Sequence, residues 1–304
     1  MPVSGPKPPW LRVRLPAGGA YREVNSLLDN LGLHTVCEEA QCPNKGECFH
    51  SGTATFLILG DVCTRRCRFC AVPKGMPQPL DWDEPERVAR AVEALGLKYA
   101  VITSVTRDDV PDGGAAIFAE TIRAIRCRTP DCRVEVLVPD FQGSEDALRV
   151  VMDAGPDVLN HNLETVPRLY PVARPGADYD RSLRLLRRAK EMAPRALTKS
   201  GLMLGLGETP DEVRGVMADL VRVGCDLLTL GQYLQPSRAH LPVERYVPPE
   251  EFAALAREGV ALGLKHVEAG PLVRSSYHAR QQVEDFTAEN AETAEVAKDS
   301  TAKP

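Results

Sequence analysis

Aromatic residues are scarce in this 304-residue chain, at 5 %, so any core it builds is aliphatic. Long apolar runs are missing too. Stretches such as Phe56 to Leu59 fall far short of the ~20 residues that a membrane-spanning helix needs. The opening MPVSGPKPPW contains no apolar stretch of the kind a secretory signal carries, so the expected location is cytoplasmic, in a reducing compartment. Bulk charge is also lacking. From Glu284 onward six acids meet only Lys298 and Lys303, so −4 of the net −5 sits there and the rest of the chain is nearly neutral. Neither nucleic acid nor a membrane is therefore an expected partner. What is present excludes wholesale disorder: at 43 % hydrophobic and 26 % charged, the chain can bury one large core or two modest ones.

The anomaly is nine cysteines, an odd number in a chain expected to meet a reducing environment. That count argues against a disulfide framework and for metal or redox chemistry, provided the cysteines cluster. Six of them fall between Cys37 and Cys70, whereas Cys127, Cys132 and Cys225 are scattered and read as small packing residues.

Short aliphatic or β-branched runs bounded by Gly, Asp or Pro predict strands at 54–60, 99–103, 133–138, 157–161, 197–204 and 226–230, with a further candidate at 266–269. Helix-period stretches follow them at 84–95, 115–125, 145–153, 179–192, 210–223 and 249–262. Start signals include Asp83 before Glu84-Pro85, and Thr209 before Pro210 with Glu212 behind it. Strand–helix pairs with connections of this length imply parallel strands and right-handed crossovers. The expected fold is α/β, a partial (β/α)6 TIM-like barrel with N- and C-terminal extensions; a doubly wound open sheet is the alternative. Residues 1–52 read as an extension with one short helix at 21–31, 53–270 as the barrel, 271–285 as a C-terminal segment, and 286–304 as a disordered acidic tail.

Cys63, Cys67 and Cys70 form a C-x3-C-x2-C run directly after the first predicted strand, where barrel active sites lie. Three thiolates so close together can wrap one soft metal centre, and the arginines between them favour the thiolate form. On a four-iron cluster, three cysteines leave one iron open; a structural zinc with a distant fourth ligand is the competing reading. Cys37, Cys42 and Cys48, spaced C-x4-C-x5-C on the N-terminal extension, make a second set that is again short of a fourth cysteine.

The C-x3-C-x2-C spacing, with Phe69 just before its last cysteine, resembles the motif of the radical S-adenosylmethionine (SAM) enzymes. In that superfamily the open iron of a 4Fe-4S cluster chelates SAM, and an electron cleaves it to a 5′-deoxyadenosyl radical. Four stretches, TVCEEAQCPNKGEC, TATFLILGDVCTRRCRFCAV, TSVTRDDVPDGG and GPLVRSSYHA, narrow the resemblance to the lipoyl synthase family, over about Lys7 to Ala279. The resemblance implies that Cys63, Cys67 and Cys70 hold the radical-generating cluster. It implies that Cys37, Cys42 and Cys48 hold an auxiliary 4Fe-4S cluster, with Ser276 as fourth ligand and Ser275 as the second choice. A hard serine oxygen should leave iron more readily than a thiolate, which suits a cluster sacrificed as a sulfur source. The implied reaction inserts two sulfur atoms at C6 and C8 of an octanoyl chain on a lysine of a carrier protein. Lipoyl domains of 2-oxoacid dehydrogenases and the glycine-cleavage H protein are the implied carriers, and ferredoxin or flavodoxin the implied type of electron donor. The rivals are another two-cluster radical SAM sulfur inserter, such as a methylthiolating enzyme, and a zinc-binding interaction module.

Among further candidates for SAM contact, the pair Gly113-Gly114 follows the second strand and is equally readable as a tight turn. Gly201 and Gly205 belong to a G-x-M-x-G-x-x-E run resembling the superfamily strand that packs near adenine, with Met203 in place of Ile. Asn162 and Glu164 follow the fourth strand, where they are either SAM contacts or caps. Arg107, Asp108 and Asp109 read either as substrate contacts or as a solvated turn. His161 reads as a core histidine, and Tyr233 and Gln235 as candidates for the cavity wall.

Overall fold

The computed structural model describes residues 6–12, 19–39, 42, 44 and 55–284. The expectations for Cys48 and for the 286–304 tail lie outside them. After helix α1 (Gly19–Asn30) come a two-residue strand β1 (His34–Thr35) and a single turn of helix α2 (Val36–Glu39). Then the alternation begins: β2 (Thr55–Ile58), α3 (Glu84–Ala94), β3 (Tyr99–Ser104), α4 (Ala115–Arg128), β4 (Arg133–Leu137), α5 (Glu145–Asp153) and β5 (Val158–Asn160). It continues through a short α6 (Tyr170–Ala173), α7 (Tyr179–Met192), β6 (Leu197–Leu204), α8 (Pro210–Arg222), β7 (Leu227–Gln232), α9 (Pro249–Leu262) and β8 (His266–Gly270).

The strands lie in sequential order in one sheet, β2 to β8 parallel and β1 antiparallel on β2. A doubly wound sheet reverses its order at a switch point, and this one does not, so the barrel reading holds. Six β/α units and a final strand make an open barrel, in which β8 forms no ladder with β2 among the described residues.

Two hydrophobic clusters divide along the alternation of the strands. Phe56, Ile58, Ile102, Val136, Leu204 and Leu228 face outward into the larger one, shared with the helices. Tyr99, Val101, Val158 and Leu227 face inward at the amino ends and pack on Ala279 and Val283 of the C-terminal segment. That segment therefore runs down the inside of the barrel, from Val273 beside Gly231 at the carboxyl end to Val283 at the amino end.

Between these levels the inner face is polar. Lys199 on β6 pairs with Glu135 on β4 at 3.1 Å, both fully buried. Tyr99 donates to the same carboxylate at 2.6 Å and the Asn160 amide at 2.9 Å.

Capping follows the predicted chemistry at α8, where Thr209 and Glu212 form a reciprocal capping box. At α3 it does not: Asp83 makes no side-chain cap, and its N–H donates instead to Asp81. Cys132 and Cys225 are buried as expected, but Cys127 is exposed, because it falls on the outer face of α4 and so cannot be a packing residue.

Candidate active site at the carboxyl ends of the strands

The loop carrying Cys63, Cys67 and Cys70 is launched by a strained turn. Leu59 (φ 69°) and Gly60 (φ 87°) both turn left-handed at the end of β2, at a cost for the non-glycine of about 1–3 kcal/mol. The surroundings hold it there: Leu59 N–H donates to the buried Glu84 carboxylate at 2.8 Å, and its carbonyl accepts from Arg107 at 3.2 Å. Its side chain fills the space over Gly114, where a Cβ would stand 2.3 Å away. Other barrel loops clamp the remainder. Thr106 N–H donates to Cys63 Sγ at 3.3 Å, Arg68 N–H to Ala173 at 2.9 Å, and Leu241 N–H to Arg68 at 3.0 Å. His240 Nε2 lies 3.0 Å from the Cys70 carbonyl. Arg65 bridges Asp108 and Asp140. Burial alone would raise the Asp140 carboxyl, but the Arg65 guanidinium outweighs it and holds the group at about 2.

Burial, then the neighbouring Cys67 and Cys63, pushes the Cys70 thiol up to about 12. Burial likewise raises Cys67, against the opposing charge of Arg174. Protons on such a crowded set of thiols are best displaced by a soft cation.

A cavity of about 430 Å³ opens beside this loop. Phe69, Cys70, Asn162, Glu164, Gly201 and Met203 form one side, and Cys37, Cys42, Ser275 and Ser276 another. Tyr233 and Gln235 line it as well. Glu164 is half-buried, with φ 66°; its N–H donates to Gly201 and its carbonyl accepts from Met203. Burial raises its carboxyl, against Arg174 and the 3.1 Å bond from Asn162. Asn162 Oδ1 is buried without a partner, and a Cβ on Gly201 would stand 2.8 Å from it, so only glycine leaves that oxygen approachable.

Beneath them lies a residue the sequence reading missed. Arg174 is buried, donates to the Asn162 and Leu163 carbonyls at 3.0 Å, and has an unpartnered Nε. It follows a one-turn helix without periodicity, so only its nearness in sequence to Asn162 and Glu164 marks it. A buried cation and an orphaned acceptor beside Cys67 and Cys70 fit a polar, zwitterionic ligand such as SAM.

At the other side, Cys37 sits on α2, and Cys42 N–H closes a turn onto the Cys37 carbonyl at 3.1 Å. Asn44 donates to the Leu272 carbonyl at 2.7 Å, tying this motif to the C-terminal segment. Thr55 donates to Ser276 Oγ at 2.9 Å. Arg274 is half-buried beside Cys42; desolvation lowers its pKa and Cys42 opposes the shift. Among the described residues no three His, Cys, Asp or Glu side chains converge on a single-ion position.

Several candidates stand elsewhere. Gly113 and Gly114 are not among the cavity's lining residues; Gly114 serves as the left-handed N-cap of α4 and as the seat of Leu59. Gly205 (φ 101°) also lies off the lining, with the Gln232 amide and the Arg245 carbonyl where a Cβ would go, while Glu208 accepts from the Gly205 and Leu206 N–H groups. Arg107 is buried and paired with Asp109, and Asp108 with Arg65. For Arg107 this corrects the solvated-turn reading, since its buried side chain braces the launch of the cluster loop. His161 is a core histidine, bonded to the Val138 carbonyl and Ser182.

Residues 57–220 match the radical SAM superfamily, and residues 6–42 match the N-terminal domain of lipoyl synthase. Lipoyl synthase of Rubrobacter xylanophilus is 60 % identical over 92 % of this chain and 87 % of its own, and that of Koribacter versatilis 58 % over 91 % of both. In fold, the chain is similar to methylornithine synthase (TM-score 0.54, 14 % identity, covering 79 % of this chain and 73 % of the other). It is also similar to Streptococcus suis SuiB bound to its precursor peptide (TM-score 0.56, 11 % identity, 82 % and 52 %). With Cys37, Cys42 and Cys70, the C-terminal serines and the open barrel brought to one cavity, these similarities place the chain in the lipoyl synthase family of the radical SAM superfamily.

Proposed function

We propose that this chain inserts two sulfur atoms, at C6 and C8, into an octanoyl group carried on a lysine of a lipoyl-carrier protein. The supporting observation is that one cavity has Cys70, Asn162 and Glu164 on one side and Cys37, Cys42 and Ser276 on the other. An acyl chain inside it meets both cysteine sets without leaving. When bound, the implied groups supply an electron and a 5′-deoxyadenosyl radical from SAM at the first side and sulfur at the second.

The chain's own residues hold, orient and insulate. Cys63, Cys67 and Cys70 would hold one 4Fe-4S cluster, and Asn162, Glu164 and Arg174 the polar groups of SAM. Cys37, Cys42, Cys48 and Ser276 would hold the second cluster. The hydrogen bond that Thr55 donates to Ser276 Oγ favours the deprotonated, ligating form of that oxygen. Walls from Val36, Leu137, Leu202 and Met203 suit an alkyl chain and exclude water. Unactivated methylene groups have no acidic proton for a base to take, so hydrogen-atom abstraction is the route this reaction needs. The carriers in this reading are lipoyl domains and the glycine-cleavage H protein, and the reductant is a ferredoxin or flavodoxin. Residues 1–52 carry the auxiliary motif, 53–270 the barrel and 271–285 the serine segment.

The test is anaerobic incubation with SAM, a reductant and an octanoylated carrier, followed by mass spectrometry of the carrier lysine. A lipoyl product is expected, and an unchanged acyl chain would refute the reading. Metal content should be about eight irons per chain, two clusters' worth; zinc in their place would favour an interaction module.

A further inference from the structure

We infer that the outward face of the loop at residues 63–76 is a docking surface for an acidic one-electron carrier protein. The inference rests on the reading that Cys63, Cys67 and Cys70 hold a reducible cluster.

The loop has two faces. Phe69 and Cys70 line the cavity, and Arg65 turns inward to Asp108 and Asp140. Arg66, Arg68 and Lys74 are exposed, line no part of the cavity, and form no ion pair among the described residues. A fourth such cation, Arg238, is exposed on the segment whose His240 touches the Cys70 carbonyl and whose Leu241 N–H bonds Arg68. Lys74 is equally close to the thiols, since Cys63 N–H donates to Pro73 at 2.8 Å and Gly75 N–H donates back to Cys63 at 3.0 Å. Backbone bonds thus place four uncompensated cations around the three thiols, facing away from the substrate cavity.

Exposed cations without an ion pair among the described residues also stand at Arg90, Lys98, Arg133, Arg195 and Arg257, so what sets these four apart is their place around the three thiols. Arg87, Arg126, Arg128, Arg168, Arg214 and Arg245 each pair with an acid, in a chain of net charge −5. Residues 63–76 contain no acid at all, and Asp61, just before them, is half-buried. Met76, 83 % exposed, and Val172, 47 % exposed beside the Ala173 that holds Arg68, add apolar contact. A cationic rim with a small apolar part suits an acidic protein surface. The acyl group and the electron then arrive from different sides: one enters the cavity, the other crosses the loop's outer face. The step is a bare electron transfer, in which the carrier is oxidised by one electron, the cluster is reduced by one, and no bond or proton changes.

The experiment uses the reconstituted holoenzyme and the variant Lys74→Glu/Arg238→Glu, whose residues lie outside the cysteine motif. SAM cleavage is measured with reduced flavodoxin and, separately, with reduced methyl viologen, a small cation that needs no docking site. With flavodoxin at about 20 mM salt, the variant should be at least about tenfold slower, and the wild type should itself slow towards about 0.3 M salt. With methyl viologen both should agree within about twofold. Equal flavodoxin-driven rates would overturn the inference, as would equal losses with both reductants. A raised KM for the octanoylated carrier with flavodoxin rates untouched would assign the surface to that carrier and overturn it too. A wild type that cleaves no SAM with methyl viologen would remove the underlying reading itself, and the docking surface with it.

Discussion

A single methyl group at Gly231 should separate the two functions of the cavity. In Gly231→Ala the new Cβ would lie 2.1 Å from the Val273 carbonyl oxygen, whereas ordinary contact begins at 3.4 Å, so that oxygen must retreat by about 1.3 Å. The φ of Gly231 is not left-handed, so alanine meets no backbone penalty and the effect is purely steric. Val273 leads directly to Ser276, and a shift of that size stretches the 2.9 Å bond from Thr55 to Ser276 and the 2.7 Å bond from Asn44 to Leu272 past useful length. Two such bonds at about 1 kcal/mol each, with overpacking of about 1–3 kcal/mol, put the loss of stability at about 3–5 kcal/mol. The Cys63–Cys70 loop and the outer core touch none of these atoms. Anaerobic assays below the melting transition should therefore show 5′-deoxyadenosine formation within about threefold of wild type, and lipoyl product down about 100-fold. Lipoyl formation at the wild-type rate, or equal loss of both products, would refute the steric argument.

Ser276→Ala should likewise keep SAM cleavage and lose sulfur insertion; undiminished lipoyl product would assign the ligand role to another residue. Lys199→Met leaves the Glu135 carboxylate buried without its cation and should cost about 3–5 kcal/mol in denaturant titrations, with most of it recovered in Lys199→Met/Glu135→Gln. A single-variant loss below about 1 kcal/mol would show that water reaches the pair. Burial lowers His161 to about 4, well below its usual 6.5, so protonation favours the unfolded chain and stability falls as pH drops from about 6.5 towards 4. Between pH 7 and pH 5 the wild type should lose about 2 kcal/mol more than His161→Gln, as read by paired denaturant titrations at the two pH values; parallel losses would contradict a neutral buried ring.

The barrel was legible because short aliphatic or β-branched runs alternate with helix-period stretches along the chain, and the strand at 266–269 extends to Gly270 as a paired element. Both cysteine motifs were legible from spacing. The inner polar network was not: Glu135 in RVEVL and Lys199 in LTKSGLML interrupt their strands as a solvent-facing residue would, and only barrel curvature turns them inward. Arg174 was hidden for a related reason, since a cation in a short Pro-flanked turn looks solvated until its three acceptors are seen. At the Gly113-Gly114 pair the tight-turn reading has a packing reason, since Gly114 seats the Leu59 side chain. Nothing in the composition of 271–284 indicates that this segment would be taken inside the barrel.

That last feature bears on how a serine can be a useful ligand. A segment resting on the outside of a closed barrel would have only its metal bond to keep it near the site, and breaking the bond would release it. Here the gap between β8 and β2 admits the segment, and it is held at two levels: Val273 against Gly231 above, Ala279 and Val283 against Tyr99, Val101 and Leu227 below. Ser276 lies between these anchors, with Thr55 donating to its oxygen. In the proposed reaction the serine can then let go of iron while its backbone stays in place. Release would then cost one weak ligand exchange and not the unfolding of a terminus, and the Ser276 oxygen would stay in place for either state.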